Sequence, residues 1–330
     1  MIHPKISVII PTLNQGKFIE QTILSVLDQT YKNTEIIIID GGSTDNTIDV
    51  IKKYAGQIRH WVSEKDKGQS NAINKGLLVA SGEIVTWLNS DDYYEPDALL
   101  TVVKTFHENP SVTIVHGKAR LFGERVKSRI VGPREDLPLS GYLAFMRFPQ
   151  PSSFIKREFL STDFPLNEHL HYAMDFELVS RAILTGAVPK RTDQLFSHYR
   201  LHPHSKSNLE IRFMEEWTNV AYNTFSTLHN GNSFAQTLKS LSTFSITEGK
   251  PFACTIRLTD AEVEGIFLEH IHLHYHFHYR TFNRAACARI CLFLKENYKG
   301  FYRKNNYYKY NFRLKFIPVS LITLIRKFRN

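Results

Sequence analysis

The 330-residue sequence predicts an α/β protein, a mostly parallel open sheet with helices on both faces, followed by a mainly helical C-terminal extension. Three observations point there. Strand and helix signals alternate through roughly the first 120 residues, an order that requires crossover connections and therefore a parallel sheet. Residues 35–40, EIIIID, form a near-continuous β-branched run, as a strand buried on both faces must. After residue 205 the alternation stops and helical spacing takes over.

In order, KISVIIP (5–11) is a short strand ended by proline, and 17–29 is a helix with Phe18, Ile19, Ile23, Val26 and Leu27 at helical spacing. EIIIID is the second strand. GGSTDNT then turns the chain, with Ser43 or Thr44 placed to cap a helix over 45–55. HWVSE (60–64) is a third strand, 69–80 a third helix and EIVTWLN (83–89) a fourth strand. Pro96 opens another helix, and VTIVHGKARLF (112–122) is a fifth strand. Residues 123–205, broken by prolines at 133, 138, 149, 151 and 165, read as the other half of a cleft.

Composition is that of a globular protein, with 42% hydrophobic and 22% charged residues. The opening MIHPKISVII lacks the pattern of a signal peptide, so none is expected. The longest apolar runs, about ten residues, are roughly half of what a spanning helix needs. Cys254, Cys287 and Cys291 are an odd, sparse set, which argues for a reducing compartment, and the last two read as small buried residues. Residues 295–330 hold ten Lys/Arg against Glu296 alone, which is the whole +9 excess; the rest of the chain carries 31 of each sign. An acidic surface is the partner such a tail implies.

Three polar loops leave strand ends: Pro11-Thr12-Leu13-Asn14, Asp40-Gly41-Gly42-Ser43 and Asn89-Ser90-Asp91-Asp92. Ligands of open parallel sheets sit at that edge. Adjacent Asp91 and Asp92 suit a hard divalent cation, Mg²⁺ or Mn²⁺, with positions left for phosphate oxygens. Their other reading is acid favoured near the start of the next helix.

SVIIPTLN (7–14), IIIIDGGSTDNT (36–47), DKGQSNAINKG (66–76) and TWLNSDD (86–92) closely resemble, in order and spacing, family 2 glycosyltransferases of the GT-A, Rossmann-like fold. QPSSFIKREF (150–159), HYAMDFELVSRA (171–182) and SHYRLHPHSKS (197–207) resemble that family's acceptor-side and C-terminal motifs. The resemblance covers about 1–207 and implies a domain there, with a nucleotide-binding half (1–122), an acceptor half with catalytic loop (123–207) and a helical extension (208–330).

What the resemblance implies can be laid on these residues. Asp40 would accept from the nucleotide base, with Pro11, Thr12, Asn14 and Ser43 lining the nucleoside. Asp66, Gly68, Gln69 and Asn74 would support the pocket, Asn74 alternatively bracing its helix against the metal loop. Asn89 replaces the first aspartate of the family's D-x-D motif, so the cation is assigned to Asp91 with Asp92 beside it, and Ser90 and Asp92 also face the donor. Arg200, His202 and Lys206 match the loop that closes over the diphosphate, and Asp175 matches the catalytic base. Glu177 competes for that role, but helical geometry lets only one of the two point into the cleft. Gln150 and Ser153 either bind substrate or belong to a rigid Pro149-Gln150-Pro151 turn. The implied reaction is metal-dependent, inverting transfer from a UDP-linked sugar to a glycan or lipid-linked acceptor, in cell-surface polysaccharide synthesis.

EHIHLHYHFHYR (269–280) places five histidines at alternate positions, a shared face if extended and two stripes if helical. The helical flanks favour a packed helix over a metal site. YKGFYRKNNYYKYNFRLKF (298–316) interleaves aromatic and basic residues, and Ile317, Leu321, Leu324, Ile325 and Phe328 continue at helical spacing. The expectation is an anionic membrane surface, on the inner face of the cell membrane, rather than nucleic acid; a helix packed on the body is the third option. Oligomeric state stays open. A non-catalytic nucleotide- or carbohydrate-binding protein is the alternative function. A sugar nucleotidyltransferase fits less, because PTLNQGKF lacks that class's Gly-rich, basic loop.

Overall fold

The computed structural model describes residues 4–124, 126–203, 205–206, 209–247, 249 and 251–317. It divides into two compact units, Met1–Val220 with Phe252–Ile256, and Ala221–Pro251 with Arg257–Asn330. The division falls inside a helix at residue 220, not at the expected 207/208.

The first unit follows the predicted alternation: β1 Ile6–Thr12, α1 Ile19–Leu27, β2 Thr34–Asp40, α2 Thr47–Lys53, β3 His60–Ser63, α3 Gln69–Val79 and β4 Ile84–Trp87. Then come β5 Tyr93–Tyr94, α4 Ala98–Glu108, β6 Ile114–Gly123, β7 Val126–Val131, α5 Leu139–Ala144, β8 Ser153–Lys156, α6 Met174–Leu184, β9 Pro189–Leu201 and α7 Glu210–Thr227. The sheet runs β3-β2-β1-β4-β8-β6-β9-β5, with β7 on β6. Strands β1 to β4 are mutually parallel where they pair.

Register decides where the site lies. Thr12 pairs with Asp40, Asp40 with Ser63 and Ile9 with Trp87, so the carboxyl ends of these strands stand side by side. Their loops therefore leave one edge. The predicted fifth strand exists as β6, but β8 lies between it and β4, antiparallel to both. That four-residue strand, flanked by Pro149-Gln150-Pro151, has too little pattern to announce itself in sequence. Strand β9 runs antiparallel to β5, with Tyr93 opposite His198, which carries residues 197–202 alongside the Asn89–Asp92 loop.

EIIIID is buried on both faces as its composition requires. On one side Val8, Ile10, Ile36 and Ile38 meet Ile19, Ile23 and Val26 of α1 and Leu99, Val102 and Phe106 of α4. On the other, Gly76 lets α3 close on β1: a Cβ there would lie 2.6 Å from the Ile9 side chain. The expected cap of α2 is corrected. The helix starts at Thr47, whose N–H and hydroxyl both donate to Asp45, while the Ser43 hydroxyl is committed to Asp40.

The second unit contains α8 Asn232–Leu241, α9 Asp260–Arg280, α10 Arg284–Asn297, α11 Lys299–Lys304 and α12 Tyr307–Phe316. A capping box between Thr259 and Glu262 starts α9, and the histidine run lies within that helix. His270, His274 and His278 form one buried stripe, with the Nε2 atoms of His270 and His274 3.2 Å apart. Among the described residues no group of three metal-ligating side chains converges. Cys287 and Cys291 are buried, which pushes their thiols up to about 12 and about 11; Cys254 is exposed. No helix among the described residues is long and apolar enough to cross a membrane.

Burial holds the α9 imidazoles below the ordinary histidine range: His276 and His278 to about 4, and His274 well down, with neighbouring histidines adding to the effect. The unfolded chain binds these protons near pH 6.5, the folded chain only below, so their neutral burial costs nothing above about pH 6.5 and opposes folding increasingly as pH falls toward 4. Each such imidazole withdraws up to about 1.4 kcal/mol per pH unit over that window. Hydrogen exchange of the α9 amides at pH 7 and pH 5 should show protection lost at pH 5, and His278→Phe should reduce that loss.

Candidate active site

A cavity of about 1160 Å³ opens at the carboxyl edge of β1 and β4. Among the predicted site residues, Pro11, Thr12, Asn14, Asp66, Gly68, Gln69, Ser90, Asp91, Asp175, His202 and Lys206 line it. Asp40, Ser43, Asn74, Asp92 and Arg200 do not.

The first two loops lock together. Asn14 sits at φ 53°, a left-handed conformation that asparagine tolerates better than most residues. Its N–H donates to Ser43 Oγ at 2.7 Å, and its Oδ1 accepts from Thr44 N–H at 2.8 Å. Asp40, expected to face a base, is fully buried. Its oxygens accept from Gly42 and Ser43 N–H, the Ser43 hydroxyl and the Ser63 hydroxyl, so the carboxylate organises its own loop. Gly41 has a separate cause: a Cβ there would stand 2.8 Å from Asp66 Oδ2. Asp66 in turn accepts from Gly68 N–H at 2.8 Å, where Gly68 adopts φ 111° and opens α3.

From α3, Gln69 reaches Asn89 through Nε2 (2.6 Å) and accepts from Lys206 Nζ through Oε1 (3.0 Å). Those two bonds fix the amide's orientation. Lys206 also donates to the His171 carbonyl at 3.3 Å, and burial lowers its pKa. Asn74 takes the bracing alternative: it donates to the Leu166 carbonyl and Glu168 and accepts from Leu166 N–H, tying α3 to the segment before α6.

The adjacent aspartates separate. Asp91 Oδ2 lies 3.0 Å from His202 Nε2 at the cavity wall. Asp92 turns inward with no exposure, accepting Arg200 N–H at 2.8 Å, which pins β9. Burial, then the neighbouring Asp91, raises its pKa well above the carboxylate range. Asp92, expected on a cation or donor, thus turns away from the cavity that Asp91 lines. Arg200, expected over the diphosphate, turns away likewise. Its guanidinium rests between Phe18 and Phe122 (4.8 and 4.7 Å) and donates to the Asp91 carbonyl and Gln21.

Asp175 opens α6 at the cavity wall, and desolvation lifts its pKa to about 6, with Glu216 adding to the rise. Glu177 is instead paired with Arg181 at 2.8 Å. Two features escaped the sequence reading. The Glu216 carboxylate on α7 accepts the N–H groups of His171, Tyr172 and Ala173, at 2.7–3.1 Å, and so fixes the turn that launches α6. Tyr172, Phe213 and Trp217 also face the cavity. Phe213 and Trp217 are four apart, a spacing that signals a shared helix face but not which cavity it meets. Among the described residues, Thr12 Oγ1, Trp87 Nε1 and Trp217 Nε1 on this wall are buried without a protein partner. Gln150 also lines the wall and donates to the Trp87 carbonyl.

A mixed sheet whose parallel strands β1 to β4 end in loops around a cavity, with helices on its faces, defines a GT-A type α/β protein. Residues 7–162 match the Glycosyl transferase family 2 profile, and the chain belongs to that family. It is 31% identical to an uncharacterized glycosyltransferase of Haemophilus influenzae over 52% of this chain and 71% of that protein. Solved structures share the fold at low identity. TarS of S. aureus in complex with UDP-GlcNAc matches at TM-score 0.61 and 19% identity, over 83% of this chain and 73% of that one. The Pyrobaculum calidifontis mannosyltransferase PcManGT, in complex with GDP-Man and Mn²⁺, matches at 0.60 and 18%, over 96% and 87%. Other curated relatives are matched over a smaller part of their length: the chain covers 36%, 23% and 38% of three of them.

Proposed function

We propose that this chain transfers a sugar from a nucleoside diphosphate sugar, UDP-linked, to a hydroxyl of a glycan or glycolipid, with inversion and with a divalent cation. The observation that carries the reading is one cavity joining Asp175 on α6 to Asp91, His202 and Lys206 on the opposite loops. Thr12, Asn14 and Asp66 support the nucleoside side.

The donor set fits a cation shared with substrate. Asp91 and His202, 3.0 Å apart, would hold it, with the Asn89 amide oxygen, which also accepts from Gln69, close by in the same loop as Asp91. When bound, the ion neutralises charge growing on the leaving diphosphate. Lys206 adds a positive charge held in place by Gln69 and the His171 carbonyl. Asp175 accepts the acceptor's proton as its oxygen bonds to the anomeric carbon and the bond to diphosphate breaks. Its pKa, about 6, lies far below that of a sugar hydroxyl, so proton transfer accompanies attack.

Calorimetry of UDP and GDP, with and without Mn²⁺, followed by turnover of UDP-sugars with oligosaccharide acceptors, tests this. UDP affinity strengthened by Mn²⁺, with transfer, is the expected result. Nucleotide binding without turnover favours a binding protein, and condensation of a sugar phosphate with UTP a nucleotidyltransferase.

A further inference from the structure

Helix α12 is two-faced. Tyr307 and Leu314 are buried, and the Tyr307 hydroxyl meets His272 Nδ1 at 2.7 Å, which fixes the helix against α9. On the outer side, steps of four residues put Tyr308, Phe312 and Phe316 in one stripe. They are 47%, 59% and 61% exposed. Lys309 and Arg313 lie on one flank and Lys315 on the other. The Lys309 and Lys315 ammonium groups stand 5.7 and 5.3 Å from the Tyr308 and Phe316 rings. Beside the stripe is an open apolar groove lined by Tyr308, Lys309, Phe312, Arg313 and Ile317. No Asp or Glu occurs from 297 to 317.

We propose that the outer face of α12 lies on an anionic membrane surface. Three large rings side by side in water are costly unless something covers them, and cations at both flanks match a plane of negative headgroups above an apolar layer. Aromatic rings favour that boundary, where an apolar body and a polar rim are both accommodated. Nucleic acid is the weaker fit. Rings packed against each other at a tilt, with Phe312 and Phe316 centroids 4.8 Å apart and their planes 43° from parallel, leave less room for bases to intercalate than for acyl chains to cover. The inference stands independently of the transferase reading.

The test is flotation of the full chain with vesicles of phosphatidylcholine alone or with 30% phosphatidylglycerol (about the anionic content of a charged bilayer). Binding should require the anionic lipid and weaken with salt. Phe312→Ser with Phe316→Ser should lower partitioning by about tenfold or more, and each of Lys309→Gln and Lys315→Gln by about fivefold. These side chains are exposed, so thermal melts should stay unchanged and residues 318–330 remain intact in every variant. The proposal is overturned by equal binding to both vesicle types, or by variants that bind like the parent. Retention on a single-stranded oligonucleotide without vesicle binding, or self-association abolished by the Phe variants, overturns it too.

Discussion

Asp175→Asn is expected to lower kcat for sugar transfer by about 10³-fold while nucleotide binding persists. The substitution keeps shape and removes the proton acceptor, and no nucleotide-side residue depends on it. The pH profile adds a second reading. Asp175 must be ionised to act, and burial lifts its pKa to about 6, so kcat/KM should fall as pH drops through about 6. Glu216 contributes to that elevation through its charge, while its oxygens hold the turn before α6. Glu216→Gln retains an acceptor oxygen for those N–H groups but loses the charge, so the acid limb should move to lower pH. A limb that stays put, or transfer undiminished in Asp175→Asn, would remove the aspartate from the reaction.

Asp91→Asn carries the next largest effect, about 10²–10³-fold in kcat/KM, the scale of several kcal/mol of charge stabilisation. The Mn²⁺ enhancement of UDP binding should vanish with it. Asp92→Asn is the discriminating partner. Because Asp92 is buried on Arg200 N–H, it should leave the Mn²⁺ enhancement in place. If calorimetry shows the opposite pattern, the cation belongs to the buried carboxylate and the geometry argued above is wrong.

The parallel core was legible in the sequence because a strand covered on both faces leaves an unmistakable run of branched residues, as at 35–40. The loop residues that reach the cavity were legible for a related reason. Strands β1 and β4 fix which ends meet, and polar residues at those ends have few other uses. Direction was harder. Asp40, Asp92 and Arg200 carry the right chemistry in the right loops, yet Asp40 turns toward its own loop, Asp92 toward the backbone of β9 and Arg200 into an aromatic sandwich. Sequence names a residue's chemistry but does not say which of two sides it takes at a strand end. Glu216 was invisible for another reason. Its partners lie over forty residues upstream, and a carboxylate accepting three backbone N–H groups leaves no pattern in either segment. The final stretch, 318–330, with Leu321, Leu324, Ile325 and Phe328, lies outside the described residues.

The family profile ends at residue 162, whereas Asp175, His202, Lys206 and Glu216 all come later. A chain cut at that boundary keeps the loops after β1, β2 and β4 but forfeits the proposed proton acceptor and the turn that aims it. Chimeras exchanging 163–220 between relatives are accordingly where a switch of acceptor should be sought, with the donor preference expected to stay with the front half.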